Sequence, residues 1–569
     1  MKGTEYFVEF LHAHGVRHLF GNPGHTELTL LDRLAVMPDM HYVLGLHEGA
    51  AMAMADGNAM ASGNLGVFCG HVMPGFGNAL GMLFNASKHG SPLLVTAGQQ
   101  DQMFSLTEPF LWGDLVRQAQ PLTKWAHEVR GIEEFPRALQ RAAKVAMTPP
   151  TGPVFLSLPK DVMAAEGSAD PAAVTRVAMR PRADIDAIRD AARVLLDARS
   201  LLIIAGDEVG KSGAESELET VAGLLGAAVY SETSSVRFNF PIGNPLYQGS
   251  LARIQKDVHA LLSQADVVFA VGAEVLTSAA AAKTDPLPST ARLVQLNLDS
   301  WQLGKNYVAS PALWGDAKAT LQALAEAVRD GQSEAQRRAA DERGKALAQN
   351  RLKRLAGLEA MVAKNFDRAP LTGAVAMNQI VQGIPEGAVI VDESATAGLT
   401  LRAELARRPH LYFCNKAGGL GWGVPASIGI ALAMPDRPVF CVTGDGGALF
   451  SIQALWTAAH HRCRIIFVIC NNSQYALIKH RLHLFGGGSA AQTKRYLGVE
   501  LNDPAIEFCD LARSMGLWAT RVERAREIPD AIASALGRDG PALIDLRTEG
   551  SYPEREQVSV QAAAMAADQ

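Results

Sequence analysis

A chain of 569 residues exceeds what one hydrophobic core can serve, so about two to four domains are expected. Hydrophobic residues at 48% and charged residues at 20% give an ordinary globular balance. The formal charge of −5 gives nucleic acid or an anionic membrane surface no hold, and no apolar run is long enough to span a bilayer.

The chain opens on "MKGTEYFVEFLHAHGVRHLF", where Glu5 and Glu9 interrupt what would be the apolar core of a signal peptide. A cytoplasmic protein is expected. The six cysteines (Cys69, Cys414, Cys441, Cys463, Cys470 and Cys509) lack metal-type spacing and read as reduced thiols. Short apolar runs then alternate with helical patterns, as a parallel sheet covered by helices requires. The first third offers "HYVLGL", "LGVFCG", "PLLVTAG" and "GPVFLSLP" as strands. A stretch rich in Ala, Pro and charge, residues 163–185, reads as a linker. The middle third offers "LLIIAG", "ADVVFAVGA" and "RLVQLNLD", and the charged residues 329–355 read as a solvated helix between domains. The last third offers "GAVIVDE", "PVFCVTGDG", "RIIFVICNN" and "PALIDLR". The expectation is three α/β domains, each a mainly parallel sheet flanked by helices, over 1–165, 185–330 and 365–550, followed by a tail at 551–569.

In the last third, two polar clusters stand hard against buried strands. "PVFCVTGDGG" ends in a glycine-rich turn carrying Asp445, and "RIIFVICNN" ends on Asn471 and Asn472. In adjacent parallel strands, Asp445 and Asn472 would sit side by side at the carboxyl ends, where open α/β sheets place their ligands. A carboxylate and an amide oxygen are hard ligands suited to magnesium, which keeps positions open for phosphate oxygens and water. The backbone carbonyl of Gln474 could add a third protein oxygen. Gly444, Gly446 and Gly447 would let the backbone approach a diphosphate closely.

Gly-Asp-Gly followed at this distance by Asn-Asn resembles the diphosphate–magnesium motif of thiamine diphosphate enzymes. The resemblance spans nearly the whole chain. Through "HLFGNPGHTEL", "LHEGAAMAMADGNAMASG", "AGGLGWGVPASIGIALA" and "SIQALWTAA" it is similar to the benzoylformate decarboxylase branch. It implies a pyrimidine-binding, a central and a diphosphate-binding domain, with thiamine diphosphate and Mg2+ as cofactors. Glu48 would share a proton with the cofactor's aminopyrimidine, Leu420 would support its V-shaped bend, and Thr396 would join the cofactor-binding residues. His71 would transfer protons near the reacting carbonyl, a task that suits a histidine in a loop. The two ends of the cofactor would come from different subunits, so a homodimer is the minimum unit and a homotetramer is expected.

The implied reaction is decarboxylation of a 2-oxo acid to an aldehyde, with carboligation to 2-hydroxy ketones as a companion activity. The substrate would be a small 2-oxo acid or aldehyde. Two departures bear on it. His25 stands where the branch has a serine that meets the substrate carboxylate. Near Ala279 the central domain has no counterpart of the branch's second histidine. The segment after Asn472 is basic, with Lys479, His480, Arg481 and His483, and reads either as a solvated helix face or as a pocket wall for anionic groups. Rival readings are a non-decarboxylating carboligase or lyase, similar to benzaldehyde lyase or acetolactate synthase, and an acyl-coenzyme A lyase. A catalytically dead homologue would be expected to lose Glu48, Asp445 or Asn472, and all three are present.

Overall fold

Three six-stranded sheets flanked by helices carry the chain. A computed structural model describes all residues except 169–174, 176, 179, 278–282, 485–487 and 551–569, so Ala279 and the tail lie outside the described residues. The first sheet contains β1 (His18–Gly21), β2 (His41–Leu44), β3 (Gly66–Gly70), β4 (Leu93–Gln99), β5 (Ala126–Glu128) and β6 (Val154–Pro159). The second contains β7 (Leu201–Ala205), β8 (Ala228–Ser231), β9 (Tyr247–Ser250), β10 (Val267–Val271), β11 (Arg292–Asn297) and β12 (Ala309–Trp314). The third contains β13 (Val389–Glu393), β14 (Leu411–Cys414), β15 (Val439–Gly444), β16 (Ile465–Asn471), β17 (Trp518–Val522) and β18 (Ala542–Arg547).

Every apolar run marked in the sequence is a strand. Central strands such as β3, β7, β10 and β16 are buried along their whole length, which explains their unbroken hydrophobicity. The strands that the sequence leaves unmarked are mostly at sheet edges. There β5 and β12 keep partly exposed residues and no strong apolar signature. The charged stretch 329–355 falls mainly within a 32-residue helix, Glu334–Asn365, capped by Ser333, whose hydroxyl takes up the Gln336 N–H.

The first and third sheets share one strand order. The first runs β2-β1-β3-β4-β6-β5 and the third β14-β13-β15-β16-β18-β17, whereas the second runs β12-β11-β10-β7-β8-β9. In the first sheet the winding direction reverses between β1 and β3, and in the third between β13 and β15. Crevices outside the carboxyl ends of such strands are where parallel sheets take ligands.

The described residues form two compact units, one of 1–177, 367–398 and 414–550, the other of 178–366 and 399–413. Within the first unit, the helix Glu48–Ser62 crosses the helix Gly423–Ala433 with backbone nearly against backbone. A Cβ on Gly57 would stand 2.3 Å from the Ala426 carbonyl oxygen, and one on Gly429 would stand 1.9 Å from that of Met54. Only glycine fits at either position. Asn58 Nδ2 donates to the Gly429 carbonyl at 3.1 Å and fixes the crossing further.

Candidate active site

Polar residues gather at the reversal point of the first sheet. After β1 the chain turns through Gly24 into the short 3-10 helix His25–Glu27, and Glu27 is buried. Its Oε2 accepts the Gly24 N–H at 2.9 Å and lies 2.9 Å from His71 Nδ1, just beyond β3. Thr26 Oγ1 donates to Glu27 Oε1 at 2.5 Å and lies 3.1 Å from the same His71 nitrogen. The hydrogen bond that His71 makes to the Glu27 carboxylate raises the His71 pKa above its ordinary value, against the opposing effect of burial.

The backbone is built around that histidine. A Cβ on Gly24 would stand 2.3 Å from the His71 ring, so the approach requires glycine. Val72, the next residue, is fully buried at φ 41°, a region that β-branched side chains seldom enter. Glu48 opens its helix behind His47, whose Nδ1 accepts the Gly49 N–H at 3.0 Å. The Glu48 carboxylate accepts a hydrogen bond from Asn78 Nδ2 at 3.0 Å. Gly75 separates it from His71: a Cβ there would lie 3.2 Å from Glu48 Oε1 and 3.3 Å from His71 Cβ. Glu48 and His71 are thus neighbours.

His25 points elsewhere. Its exposed ring accepts from Lys160 Nζ at 3.3 Å, at the carboxyl end of β6, so it stands beside a cation and not beside His71. Neither Glu27 nor Lys160 was singled out from sequence. The spacing of Glu27, three residues after Gly24, is a signal that could have marked it.

The second gathering lies beside the reversal point of the third sheet, at the carboxyl ends of β15 and β16. Strands β15 and β16 pair in parallel with Gly444 opposite Cys470, which brings Asp445 beside Asn472. Asp445 is 4% exposed; its Oδ1 accepts the Gly446 N–H at 2.8 Å and its Oδ2 the Asn472 N–H at 3.1 Å. Burial raises the carboxyl pKa, and these backbone donors work against that rise. Asn472 Oδ1 accepts the Gln474 N–H at 3.2 Å across Ser473, which sits at φ 56°. The Gln474 carbonyl accepts the Ala476 N–H at 3.0 Å and keeps a second lone pair. Gly446 cannot carry a side chain, because a Cβ would lie 2.4 Å from the Tyr475 ring, while Gly444 has open space before it and Gly447 has Thr443 Oγ1 at 3.3 Å. Thr396 follows β13 in the adjoining loop, and Leu420 stands partly exposed in the loop before the helix Gly423–Ala433.

These donors fit magnesium and a diphosphate. One carboxylate, one amide oxygen and one backbone carbonyl are hard ligands that leave positions for phosphate oxygens, and the glycine turn offers backbone N–H groups. Among the described residues no group of three or more His, Cys, Asp or Glu could hold a metal ion. Of the basic segment, Lys479 is committed locally: its Nζ donates to Gln474 Oε1 at 3.0 Å, pairs with Glu500 at 3.3 Å and lies 4.5 Å from the Tyr496 ring centroid.

The imidazolium form of His71 donates a proton, and its population falls as pH rises through the raised pKa. In Glu27→Gln that loss should move to lower pH, seen by NMR titration of the His71 ring protons. An unshifted titration would mean that the pair does not govern the histidine.

Three family descriptions match the sequence: the N-terminal thiamine pyrophosphate-binding domain of thiamine pyrophosphate enzymes over residues 1–111, the central domain over 188–324, and the C-terminal thiamine pyrophosphate-binding domain over 396–546. The chain is 34% identical over 553 residues to benzoylformate decarboxylase of Pseudomonas aeruginosa, covering 96% of this chain and 98% of that protein. It is 28% identical over 561 residues to the acetolactate synthase isozyme 1 large subunit of Escherichia coli, covering 97% and 95%. Among solved structures, a thiamine diphosphate-dependent 4-hydroxybenzoylformate decarboxylase of Rhodococcus jostii aligns with TM-score 0.83 at 30% identity, over 96% of this chain and 99% of that one. Benzoylformate decarboxylase from Polynucleobacter necessarius aligns with TM-score 0.85 at 26% identity, over 97% and 99%.

Proposed function

From the premise that this chain belongs to the thiamine diphosphate-dependent enzymes, we propose that it decarboxylates a benzoylformate-like 2-oxo acid to an aldehyde. The observation that carries this reading is the Glu27–His71 pair beside Glu48. Once carbon dioxide has left, the former carbonyl carbon must gain a proton before an aldehyde can depart. A histidine whose pKa is raised by a buried carboxylate is suited to supply it. Capture by a second carbonyl compound needs no such proton at carbon.

The cofactor, when bound, supplies the electron sink that decarboxylation requires. The protein's residues do the rest. Asp445, Asn472 and the Gln474 carbonyl would hold Mg2+, the turn at Gly444, Gly446 and Gly447 would receive the diphosphate, and Thr396 and Leu420 would line the cofactor. Glu48 would share a proton with the aminopyrimidine. His25 and Lys160 would meet the substrate carboxylate. Glu48 and Asp445 lie at the carboxyl ends of different sheets, and a homodimer, with a homotetramer as its larger assembly, would complete each site between subunits. No helix among the described residues is long and apolar enough to cross a membrane, and a cytoplasmic location suits the reduced thiols.

The test is a panel of aromatic, aliphatic and dicarboxylic 2-oxo acids, with carbon dioxide measured and products identified. Aldehyde is expected as the main product. Condensation products alone would favour the carboligase reading, which the likeness to acetolactate synthase keeps in view. Lys160→Met should raise KM for the preferred acid about tenfold or more, the usual effect of losing one charge-assisted hydrogen bond. Cofactor affinity should be unchanged in that variant. Equal KM values would remove Lys160 from the substrate site.

A further inference from the structure

The loop that carries Leu420 is gripped from three directions by side chains to which the proposed function gives no part. From the helix Val72–His89, the fully buried Asn85 accepts the Gly419 N–H at 3.2 Å through Oδ1 and donates to the Gly419 carbonyl at 2.9 Å through Nδ2. Asn415, just after β14, donates to that carbonyl at 2.7 Å and accepts the Ala417 and Gly418 N–H groups at 3.0 and 3.1 Å. On the far side of Leu420, Glu393 at the end of β13 accepts the Trp422 N–H at 3.0 Å and the Gly423 N–H at 2.9 Å.

The clamp also reaches the diphosphate turn. A Cβ on Gly423 would lie 2.9 Å from Glu393 Cβ, and one on Gly447 would lie 3.9 Å from Glu393 Oε2. Asn415 Nδ2 lies 3.4 Å from Glu393 Oε1, at the long end for a hydrogen bond. Leu420 is therefore the unclamped residue between two clamped glycine segments, and its height is set by its neighbours. A side chain meant to support a bent cofactor needs such rigidity, because a misplacement of about 1 Å costs about a hundredfold in rate.

We propose that Glu393, with Asn85 and Asn415, is a positioning residue that fixes Leu420 beneath the bound cofactor. The inference rests on the reading of Leu420 as the cofactor's support. An ionised carboxylate accepts from all its backbone donors, whereas a protonated one turns a hydroxyl against an N–H. Burial pushes the Glu393 carboxyl up to about 7, with the Gly423, Trp422 and Gly421 N–H groups and Asn415 opposing that rise. The grip should therefore tighten as pH rises through neutrality. The titratable groups around it are Cys441 on β15, whose thiol burial holds un-ionised, Asp392 on its own strand, and His89, which reaches it only through Asn415.

Hydrogen–deuterium exchange on the cofactor-free protein tests this without any assay of turnover. In Glu393→Gln, amides 421–423 should exchange at least about tenfold faster, while those of the helix Glu48–Ser62 stay unchanged; Glu393→Asp, which keeps the charge, should restore part of the protection. In the unsubstituted protein, protection of 421–423 relative to that helix should rise between pH 6 and 8. With thiamine diphosphate and Mg2+ bound, Glu393→Gln should lower kcat more than it raises KM. Unchanged exchange in Glu393→Gln, or a flat protection ratio across pH should that variant fail to fold, would overturn the proposal. A protein that turns over no 2-oxo acid would sink the functional reading and leave the exchange result to decide this one.

Discussion

Asp445→Ala is expected to yield a folded protein that no longer retains thiamine diphosphate with magnesium. Two effects act, and their sizes separate them. In the folded protein the Asp445 carboxylate is buried among backbone donors, and burial already disfavours its charge. Removing it leaves the Gly446 and Asn472 N–H groups short of an acceptor, a cost of about 1–3 kcal/mol each at most. A domain of this size tolerates that. Cofactor binding should not, because the diphosphate's charges would then meet the turn at Gly444, Gly446 and Gly447 without the carboxylate proposed to hold the ion. Losing even an outer-sphere partner lowers metal affinity by about 10–100-fold, and losing the ligand itself should exceed that. Calorimetric titration with thiamine diphosphate and Mg2+, alongside thermal denaturation of the cofactor-free protein, checks both halves. Unchanged affinity would remove the magnesium site from the third sheet.

Glu48→Gln separates holding the cofactor from activating it. The amide preserves the shape of the side chain and can still accept from Asn78 Nδ2, which lies 3.0 Å from the present carboxylate. Cofactor affinity should therefore stay within about tenfold, short of the loss of a charged hydrogen bond. A glutamine cannot pass a proton to and from a ring nitrogen. Exchange of the thiazolium proton for deuterium should slow by about a hundredfold or more, the usual scale for a missing acid–base group. Exchange at the unsubstituted rate would reduce Glu48 to the first acidic residue of its helix, where the helix dipole alone accounts for it.

What could be read from sequence follows from how each contact is made. Asp445 and Asn472 were legible because each directly follows one of two successive strands joined by a helical crossover, so a parallel pairing decides their meeting. The central strands were legible because burial on both faces leaves an unbroken apolar run. Edge strands such as β5 and β12, half open to solvent, carry no such run. Glu27 escaped notice because its partner, His71, lies 44 positions away and meets it only where β1 and β3 pair. Glu393 looked like the polar end of a strand; the Trp422 and Gly423 N–H groups it holds are about 30 residues further on, across a crossover that no local pattern describes. His25 follows β1 in the chain, but its partner Lys160 depends on the neighbouring end of β6, which no local pattern announces.

The backbone-to-backbone crossing at Gly57 and Gly429 has a consequence for how this scaffold can diversify. One of the crossed helices begins at Glu48 and the other just past Leu420, so the residues proposed to handle the cofactor are anchored to a joint that admits no added atom. His25 and Lys160 sit instead on exposed strand ends, outside that joint. Mutational libraries confined to those strand ends should yield many folded, cofactor-competent variants with altered substrate preference. Libraries that touch Gly57 or Gly429 should yield almost none. Innovation in this protein is cheap at the rim and forbidden at the hinge pin.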